Sequence, residues 1–404
     1  MKTRVIEKNQ DEISQLGFGA MRLPSKNGKI DKKEAKKQIY QSIDNGINII
    51  DTAAIYGMGN SEKFLGEILQ GEYKDKVKIS TKLPAFTIKK YEDMEKTLNQ
   101  QLERLNRDTI DYYLLHNIDL KTMKRLIKRD VFKFIEKAKK EDKIKNIGFS
   151  YHGKADEFID LVDLYDWDVA MVQYNYFDDN SQINFEGIHY ASQKGMGIFV
   201  MEPLKGGILA GKIPEEAEER FKKANPNKTM AQWSFEWILN HEEITCVFSG
   251  MNTIEQIEEN IEIAKDIEPH SLSLEEMETI EYVKRIFKNL IKINCTTCGY
   301  CMPCPQNVNI PECMKIYNEK YLFNQKGLFS KSLINYFTTV GGVMNTPTNA
   351  GLCNGCGKCL RKCPQHLDIP KELSKVQKEF EGPGFKLKLW FIKNIGMPIY
   401  QKFF

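Results

Sequence analysis

The chain has 404 residues, a length typical of two or three domains, and its 41% hydrophobic and 28% charged residues are ordinary for a globular protein. The first ten residues contain no apolar signal core, and no stretch approaches the roughly 18 apolar residues of a membrane span, so we expect a cytoplasmic protein without a transmembrane segment. The net charge is +3, but residues 290–404 carry 15 Lys and Arg against 6 Asp and Glu. This basic region favours an acidic partner, although lysines that only solvate the surface explain it equally well.

Eight short apolar runs alternate with amphipathic helical patterns between residues 14 and 265. The runs begin near Leu16, Asn48, Val77, Asp111, Asn146, Val169, Gly197 and Cys246. Helical patterns lie at Lys33–Ile43, Tyr91–Leu105, Phe132–Lys140 and Thr253–Ala264. Eight strands, each followed by a helix, predict an α/β fold of the closed (β/α)8 type, a TIM barrel, over residues 1–270. A doubly wound open sheet is disfavoured because no Gly-x-Gly-x-x-Gly turn follows the first strand.

Polar residues are concentrated where the predicted strands end. They are Asp51, Lys82, His116 and Ser150 at the second to fifth strands, Gln173 and Asn175 at the sixth, and Ser249 at the eighth. Packing alone does not explain polar groups at one end of apolar strands. The carboxyl ends of the strands form the active site of such barrels, so we expect these residues to share one site.

An internal duplication marks the C-terminal region. After a connecting helix in residues 271–290, with its pattern at Leu274–Ile286, Cys295–Pro311 (CTTCGYCMPCPQNVNIP) resembles Cys353–Pro370 (CNGCGKCLRKCPQHLDIP). The 48 residues between Cys304 and Cys353 leave room for two helices. We therefore expect residues 291–404 to form a smaller, mainly helical, ferredoxin-like domain. We expect its basic apolar tail to pack on the domain, the alternative being a membrane surface.

Nine of the ten cysteines fall in this region, which in a chain with no export signal indicates a metal site rather than disulfides. Cys353, Cys356, Cys359 and Cys363 have the Cys-x2-Cys-x2-Cys-x3-Cys-Pro spacing of bacterial [4Fe–4S] ferredoxins. Zinc is the alternative, although its sites use two Cys pairs without a third Cys between them. We expect Cys313 and Cys246 to be core residues.

The first motif is less regular, because Cys295, Cys298, Cys301 and Cys304 are all separated by two residues. The duplication favours two [4Fe–4S] clusters over one. The resemblance to two-cluster ferredoxins implies that one cluster is held by Cys295, Cys298, Cys301 and Cys363. It implies that the other cluster is held by Cys353, Cys356, Cys359 and Cys304.

Four segments carry a further resemblance. LGFGAMRLP near the start, NIIDTAAIYGMGNSEKFLG at 48–66, ISTK at 79–82 and DYYLLH at 111–116 resemble the aldo-keto reductase superfamily over residues 10–270. The resemblance implies that Tyr56 donates a proton to the carbonyl oxygen, that Lys82 lowers the pKa of Tyr56, and that Asp51 anchors Lys82. It implies that His116 orients the carbonyl oxygen or helps relay the proton. The chemistry requires such a donor because hydride transfer leaves negative charge on oxygen.

The segment SGMNTIEQIEEN, residues 249–260, resembles the family's NAD(P)H signature. The resemblance implies that Ser249 and Gly250 approach the pyrophosphate and that Glu259 and Asn260 contact the adenine. It also implies that Ser150 and Gln173 hold the nicotinamide amide.

Three features depart from the family pattern. Gly250 and Gln256 replace a Lys and an Arg around the 2′-phosphate, Met201 replaces the aromatic residue that stacks on the nicotinamide, and Tyr151 replaces an Asn beside Ser150. The choice between NAD and NADP stays open. A barrel that holds a flavin, or takes electrons from a cluster, remains an alternative.

The order of parts resembles a microbial subfamily of aldo-keto reductases with C-terminal ferredoxin domains. The leading hypothesis is an iron–sulfur oxidoreductase that reduces a small carbonyl-like substrate with hydride or electrons from NAD(P)H, from a ferredoxin-like acidic carrier, or from both. One alternative is an NAD(P)H carbonyl reductase with structural clusters; another is a non-catalytic electron-transfer or regulatory subunit. No nucleic-acid partner is expected.

Overall fold

The computed structural model describes residues 1–391 apart from Asn27, Lys212, Lys326, Leu328, Phe329, Met344 and Asn345. The chain divides into two compact units. The first comprises Met1–Lys205 and Lys228–Glu278, and the second comprises Gly206–Asn227 and Thr279–Phe404. Among the described residues, no helix is long and apolar enough to cross a membrane. The predicted packing of the tail concerns residues that lie mostly outside the described part, since 392–404 are not included.

Eight parallel strands close into a barrel in the first unit, as the alternation of apolar runs predicts. They are β1 (Leu16–Gly19), β2 (Ile49–Asp51), β3 (Lys78–Pro84), β4 (Ile110–Ile118), β5 (Ile144–Tyr151), β6 (Val169–Gln173), β7 (Gly197–Met201) and β8 (Ile244–Ser249). Each strand pairs with the next in sequence, and β8 pairs with β1 in the register Ser249 to Phe18. The barrel is therefore closed, and the prediction of a TIM barrel is confirmed.

Helices follow the strands because apolar residues recur at helical spacing and bury one face. Those of the first unit are α1 (Lys32–Asp44), α2 (Ser61–Ile68), α3 (Tyr91–Leu105), α4 (Leu120–Ile127), α5 (Val131–Lys140), α6 (Phe158–Val162), α7 (Phe185–Gln193), α9 (Met230–Leu239) and α10 (Ile254–Ala264). In α3, for example, Met94, Leu98 and Leu105 are buried while the charged positions face solvent. The segment between β7 and α9 contains α8 (Glu215–Ala224), which belongs to the second unit.

An N-terminal hairpin closes the end of the barrel where the strands begin. Its strands, Thr3–Val5 and Glu12–Ser14, are antiparallel. The Asn48 side chain, just before β2, accepts from the backbone of Ser14 at 2.8 Å and donates to the carbonyl of Glu12 at 3.0 Å. Ile6 and Ile13 of the hairpin region pack into the barrel interior with Tyr112 and other core residues. The predicted site residues lie at the opposite end of the barrel, where the strands finish.

The second unit is mainly helical. Its further helices are α11 (Leu274–Leu290), which begins in the first unit, α12 (Ile310–Leu322), α13 (Lys331–Thr339), α14 (Ile369–Phe380) and α15 (Phe385–Phe391). Two helices, α12 and α13, lie between Cys304 and Cys353, as the length of that segment predicts.

The duplication is visible in three dimensions, since each cysteine motif runs into a helix that starts with Ile-Pro. The side chain of Asn309 caps α12, and that of Asp368 caps α14. The two helices pack together, with Tyr317 and Phe380 in edge contact at 6.4 Å between ring centroids. Each motif is thus a cysteine loop followed by a capped helix whose inner face builds the common core.

Candidate active site and cysteine sites

Lys82 lies at the centre of the polar residues at the strand ends. Its Nζ donates to both carboxylate oxygens of Asp51 at 2.6 Å and to the carbonyl of Thr52 at 2.8 Å. Ser80 also donates to Asp51, at 2.9 Å. The side chains of Lys82 and Asp51 are only 1% and 7% exposed, so solvent screens this ion pair little.

Burial and attraction act in opposite directions on this pair. Burial lowers the pKa of Lys82 and raises that of Asp51, because each charged form loses hydration. The attraction between the two side chains partly offsets both shifts. The ammonium charge at this site therefore depends on the Asp51 carboxylate.

Tyr56 and His116 lie beside the ammonium. Tyr56 follows β2 in a short turn (Tyr56–Gly59), and its hydroxyl is 3.5 Å from Lys82 Nζ. His116, inside β4, meets Tyr56 edge to face with 6.4 Å between ring centroids. Burial and the nearby Lys82 hold the pKa of His116 well below its usual value, so its imidazole is neutral at physiological pH. The structure thus brings the four predicted catalytic residues together.

The two residues expected to hold the nicotinamide amide differ in their surroundings. Ser150 is 1% exposed, and within the described residues its hydroxyl has no hydrogen-bond partner. Gln173 instead donates to Asp178 at 2.9 Å and accepts from Gln182 at 3.3 Å. The Gln173 amide is thereby fixed in orientation.

Sequence reasoning missed a buried ion pair that supports Gln173. Lys205, just after β7, donates to the same Asp178 oxygen at 2.6 Å, and the two side chains are 0% and 3% exposed. Lys205 has a left-handed backbone conformation with φ of 46°. A Lys near a strand end is the only signal in the sequence, and it does not reveal which carboxylate the lysine meets.

The predicted phosphate and adenine residues cluster at the end of β8. Asn260 in α10 donates to Ser249 at 3.1 Å, and both are buried, whereas Gly250 and Glu259 are exposed. A second missed residue is Arg22, which follows β1. A side chain at Gly250 would come within 3.2 Å of Arg22 Cδ. The aliphatic part of the Arg22 side chain thus lies beside the glycine.

The three departures from the family pattern have structural consequences. Met201 packs against the barrel core cluster. The Tyr151 hydroxyl donates to the backbone carbonyl of Lys154. The Gln256 side chain accepts from the backbone N–H of Asn252 at 3.0 Å. Met201 and Tyr151 are thus built into the barrel and its adjoining loop, and Gln256 braces the turn that leads into α10.

The cysteines of the second unit line two cavities. Cys295, Cys298, Cys301 and Cys363 line one, which we call the first cavity. Cys304, Cys353, Cys356 and Cys359 line the other, the second cavity, whose edge Cys301 also reaches. The two groups combine cysteines from both motifs. Cys313 and Cys246 are fully buried in the cores, as expected.

The thiols of each cavity are close enough to influence one another. Burial raises the pKa of Cys301 to about 12, with smaller contributions from Cys298, Cys295 and Cys363. Burial also raises the pKa of Cys359, and the neighbours that add to this shift are Cys353, Cys304 and Cys356.

In the part of the chain that the structure describes, no three His, Cys, Asp or Glu side chains converge as ligands of a single metal ion. A zinc ion needs its thiolates within about 2.3 Å of one point. Each cysteine ligand of a [4Fe–4S] cluster binds a different iron, so cluster ligands surround a cavity at larger separations.

Comparison with known proteins agrees with this division. The Aldo/keto reductase family pattern matches residues 15–285, and the 4Fe-4S dicluster domain pattern matches residues 294–367. L-galactose dehydrogenase of Arabidopsis thaliana is 26% identical over 305 residues, covering 69% of this chain and 93% of that protein. The NADH-specific methylglyoxal reductase of Escherichia coli is 25% identical over 294 residues, covering 62% of this chain and 89% of the relative.

Solved structures show the same barrel. The holo form of an aldo-keto reductase from Bacillus halodurans superimposes with a TM-score of 0.59 at 23% identity, over 70% of this chain and 96% of that one. An aldo/keto reductase from Klebsiella pneumoniae in complex with NADP and acetate gives a TM-score of 0.57 at 20% identity, over 70% and 96%. The family pattern spans well over half of the sequence. The chain therefore belongs to the aldo/keto reductase family of oxidoreductases, and a 4Fe-4S dicluster domain follows the family's barrel in the sequence.

Proposed function

We propose that the barrel reduces the carbonyl group of a small molecule with hydride from NAD(P)H, and that Tyr56 donates the proton. The observation that carries this proposal is the buried Lys82 ammonium, paired with Asp51 and lying 3.5 Å from the Tyr56 hydroxyl. An ammonium in this place stabilises the phenolate that remains after the proton leaves. Asp51 keeps the ammonium charged and in position.

His116 contributes as a neutral hydrogen-bond donor. Its low pKa excludes a permanent positive charge at physiological pH, so it orients the carbonyl oxygen rather than attracting it as a cation. Its edge contact with the Tyr56 ring supports a shared role for the two groups at one oxygen of a bound carbonyl. The substrate is thus held between two donors while hydride reaches its carbon.

The residues around the strand ends fit a nicotinamide cofactor. The buried hydroxyl of Ser150 suits the carboxamide, and Gln173, oriented by Asp178, provides a second polar contact. Ser249 and Gly250 lead into α10, whose N-terminus suits the pyrophosphate, and we assign Glu259 and Asn260 of the same helix to the adenine. When bound, NAD(P)H supplies the hydride.

Arg22 completes the phosphate site in this proposal. Its side chain lies against Gly250, the position that a cationic residue occupies in NADP-specific relatives. A guanidinium is the preferred partner of a phosphate. Arg22 therefore supplies the positive charge that Gly250 and Gln256 lack.

The relatives support a small carbonyl substrate without defining it. One is named as a methylglyoxal reductase specific for NADH, and another as a dehydrogenase of L-galactose. An aldehyde, an α-ketoaldehyde or a small sugar is the corresponding substrate class. We infer an enzyme that acts on such compounds.

We further propose two [4Fe–4S] clusters, one in each cysteine cavity. Crossed ligation is supported because the first cavity takes its fourth cysteine, Cys363, from the second motif, and the second cavity takes Cys304 from the first. When bound, such clusters transfer electrons one at a time, to or from a ferredoxin-like carrier. A bound flavin would link these one-electron transfers to the two-electron reduction of a carbonyl group. Such a flavin is the alternative to hydride transfer directly from NAD(P)H.

The proposal is tested with anaerobically purified protein, by absorption spectra before and after NADH or NADPH and by turnover of methylglyoxal. A shoulder at about 400 nm is expected from the clusters. Bleaching on addition of nicotinamide would connect the clusters with the barrel. Two broad maxima at about 370 and about 450 nm in the supernatant of denatured protein would indicate a flavin instead.

The proton donor is tested by Tyr56→Phe, with Tyr73→Phe as the matched control, because Tyr73 is a partly exposed tyrosine bonded to Asp44. Loss of a general acid lowers kcat by about 10²- to 10⁴-fold, whereas the control keeps full activity. Unchanged turnover in Tyr56→Phe would overturn the assignment. Absence of turnover in the wild type with every small aldehyde, together with a normal cluster spectrum, would instead favour the non-catalytic electron-transfer subunit.

A further inference from the structure

The two cysteine cavities differ in charge. The first cavity is lined by apolar and neutral residues, with no Lys, Arg, Asp or Glu among those described. The second cavity is lined by three basic residues and no acidic one; the basic residues are Lys358, Arg361 and Lys362. The duplicated motifs have therefore diverged, and positive charge is concentrated on one side only.

These three charges, which we call the cationic rim, are not neutralised by neighbours. Other lysines of the unit form ion pairs, such as Lys320 with Glu379 and Lys375 with Glu372, but no ion pair involves the cationic rim among the described residues. The sequence explains this, since no Asp or Glu occurs between Glu319 and Asp368. All three rim side chains are exposed. Their field therefore extends into solvent.

The cationic rim is tied to the cysteine loop itself. Lys358 precedes Cys359, and Arg361 and Lys362 lie in the single helical turn between Cys359 and Cys363. Cys356 is exposed in the same loop. The positive charges are thus held within a few residues of the thiols that line the second cavity.

Apolar side chains lie beside these charges. Leu352 and Leu360 are large hydrophobic residues that are 38% and 42% exposed, and they flank the same cysteine loop. An apolar centre with a charged, solvated border is typical of a surface that binds another protein. A cationic border without acidic residues selects a partner of opposite sign.

We propose that the cationic rim docks an acidic one-electron carrier protein, with its redox centre facing the second cavity. This inference rests on the proposed clusters and identifies the side from which electrons enter or leave. The first cavity has no such surface charge, so the second cavity is the contact point. Docking depends on Lys358, Arg361 and Lys362 rather than on the overall charge of the unit.

The test is the binding of a plant-type [2Fe–2S] ferredoxin of negative net charge to the full-length, cluster-loaded protein, measured by calorimetry at several salt concentrations. The triple variant Lys358→Glu/Arg361→Glu/Lys362→Glu is expected to weaken binding at low salt by about tenfold or more. The wild-type affinity is expected to fall as salt rises, and that of the variant to change little.

The matched control reverses three other charges of the same unit, Lys315→Glu/Lys375→Glu/Lys378→Glu, on helices α12 and α14. This control changes the net charge of the protein by the same amount as the rim variant does. If docking depends on the cationic rim, the control should lose less than about twofold in affinity for ferredoxin. Equal losses in both triple variants would overturn the proposal, because they would show attraction by net charge alone. Wild-type binding without salt dependence would overturn it too.

Two further measurements separate this inference from the proposed function. The iron content and absorbance of the rim variant should match those of the wild type, and its NAD(P)H-dependent carbonyl reduction should be unchanged. An absence of reductase activity in the wild type as well would contradict the proposed function and leave the binding result standing.

A competition experiment tests nucleic acid as the partner instead. A mixed-sequence DNA oligonucleotide that displaces ferredoxin and binds the rim more tightly would overturn the proposal in favour of nucleic-acid binding.

Discussion

Replacing Asp51 by asparagine tests whether Lys82 is held as a buried ion pair. The amide would keep the shape of the side chain but remove the negative charge next to an ammonium that is 1% exposed. The carbonyl of Thr52, at 2.8 Å, would be the remaining strong acceptor. Removing one partner of a buried pair costs about 3–5 kcal/mol, because the other charge stays buried without compensation. We expect Asp51→Asn to lower the free energy of unfolding by that amount.

A double-mutant cycle can separate the free energy of the Asp51–Lys82 interaction from other destabilising effects of the two substitutions. Lys82→Met alone leaves the Asp51 carboxylate buried and should cost a similar amount, whereas the double variant removes both charges and should cost much less than the sum of the two. As a control, Glu67→Gln disrupts an ion pair with Lys32 whose side chains are 41% and 64% exposed. Such an exposed pair contributes less than about 1 kcal/mol.

Urea unfolding followed by tryptophan fluorescence is the appropriate assay. Trp167, Trp233 and Trp237 are all buried in the first unit, so the signal reports the barrel, and only Trp390 of the second unit adds an exposed background. A cost below about 1 kcal/mol for Asp51→Asn, or simple additivity in the cycle, would refute the reasoning. Lys82 would then be a neutral amine, which could not stabilise a tyrosinate.

Further variants test the other parts of the proposal. Cys298→Ser and Cys356→Ser should each remove about half of the iron and leave different electron paramagnetic resonance spectra, while Cys313→Ala should retain all of it; identical spectra for the two Ser variants would contradict separate clusters. Arg22→Ala should raise the KM for NADPH about tenfold with kcat unchanged, equivalent to about 1.4 kcal/mol, and an unchanged KM would remove Arg22 from the phosphate site. The ¹⁵N signals of His116 should stay those of a neutral ring as the pH falls from about 8 to about 5.5, because burial lowers its pKa, and protonation near pH 6.5 would show an accessible ring.

The barrel could be predicted from sequence because its signals are local and repeated. Each strand is a short run of buried apolar residues, and each polar strand end is visible beside it. The helical pattern at Tyr91–Leu105 predicts the bounds that α3 has, since its apolar residues recur on one face. Asp51, Lys82 and His116 could be singled out for the same reason, since each lies at the end of a recognisable strand. Tyr56 and the catalytic roles proposed for all four residues came from the resemblance to aldo-keto reductases.

The contacts around those residues could not be predicted, because they join distant parts of the chain. Arg22 meets Gly250 only because β8 closes the barrel against β1. Lys205 donates to Asp178 because the ends of β6 and β7 are adjacent in the barrel. Nothing in the sequence around Lys205 distinguishes it from a solvated surface lysine. The segment 206–227 also follows a barrel strand in sequence yet belongs to the second unit, an assignment that depends on packing rather than on periodicity.

Crossed ligation gives the duplication a physical consequence. If Cys363 serves the first cavity and Cys304 the second, neither motif holds a complete ligand set, so each half depends on the other. The helices that follow the two motifs already share one core, in which Tyr317 contacts Phe380. A ligand lost from either motif would therefore weaken the shared fold as well as one cluster. Divergence between the halves is then confined to residues outside the ligand set and the core, which is where the cationic rim lies.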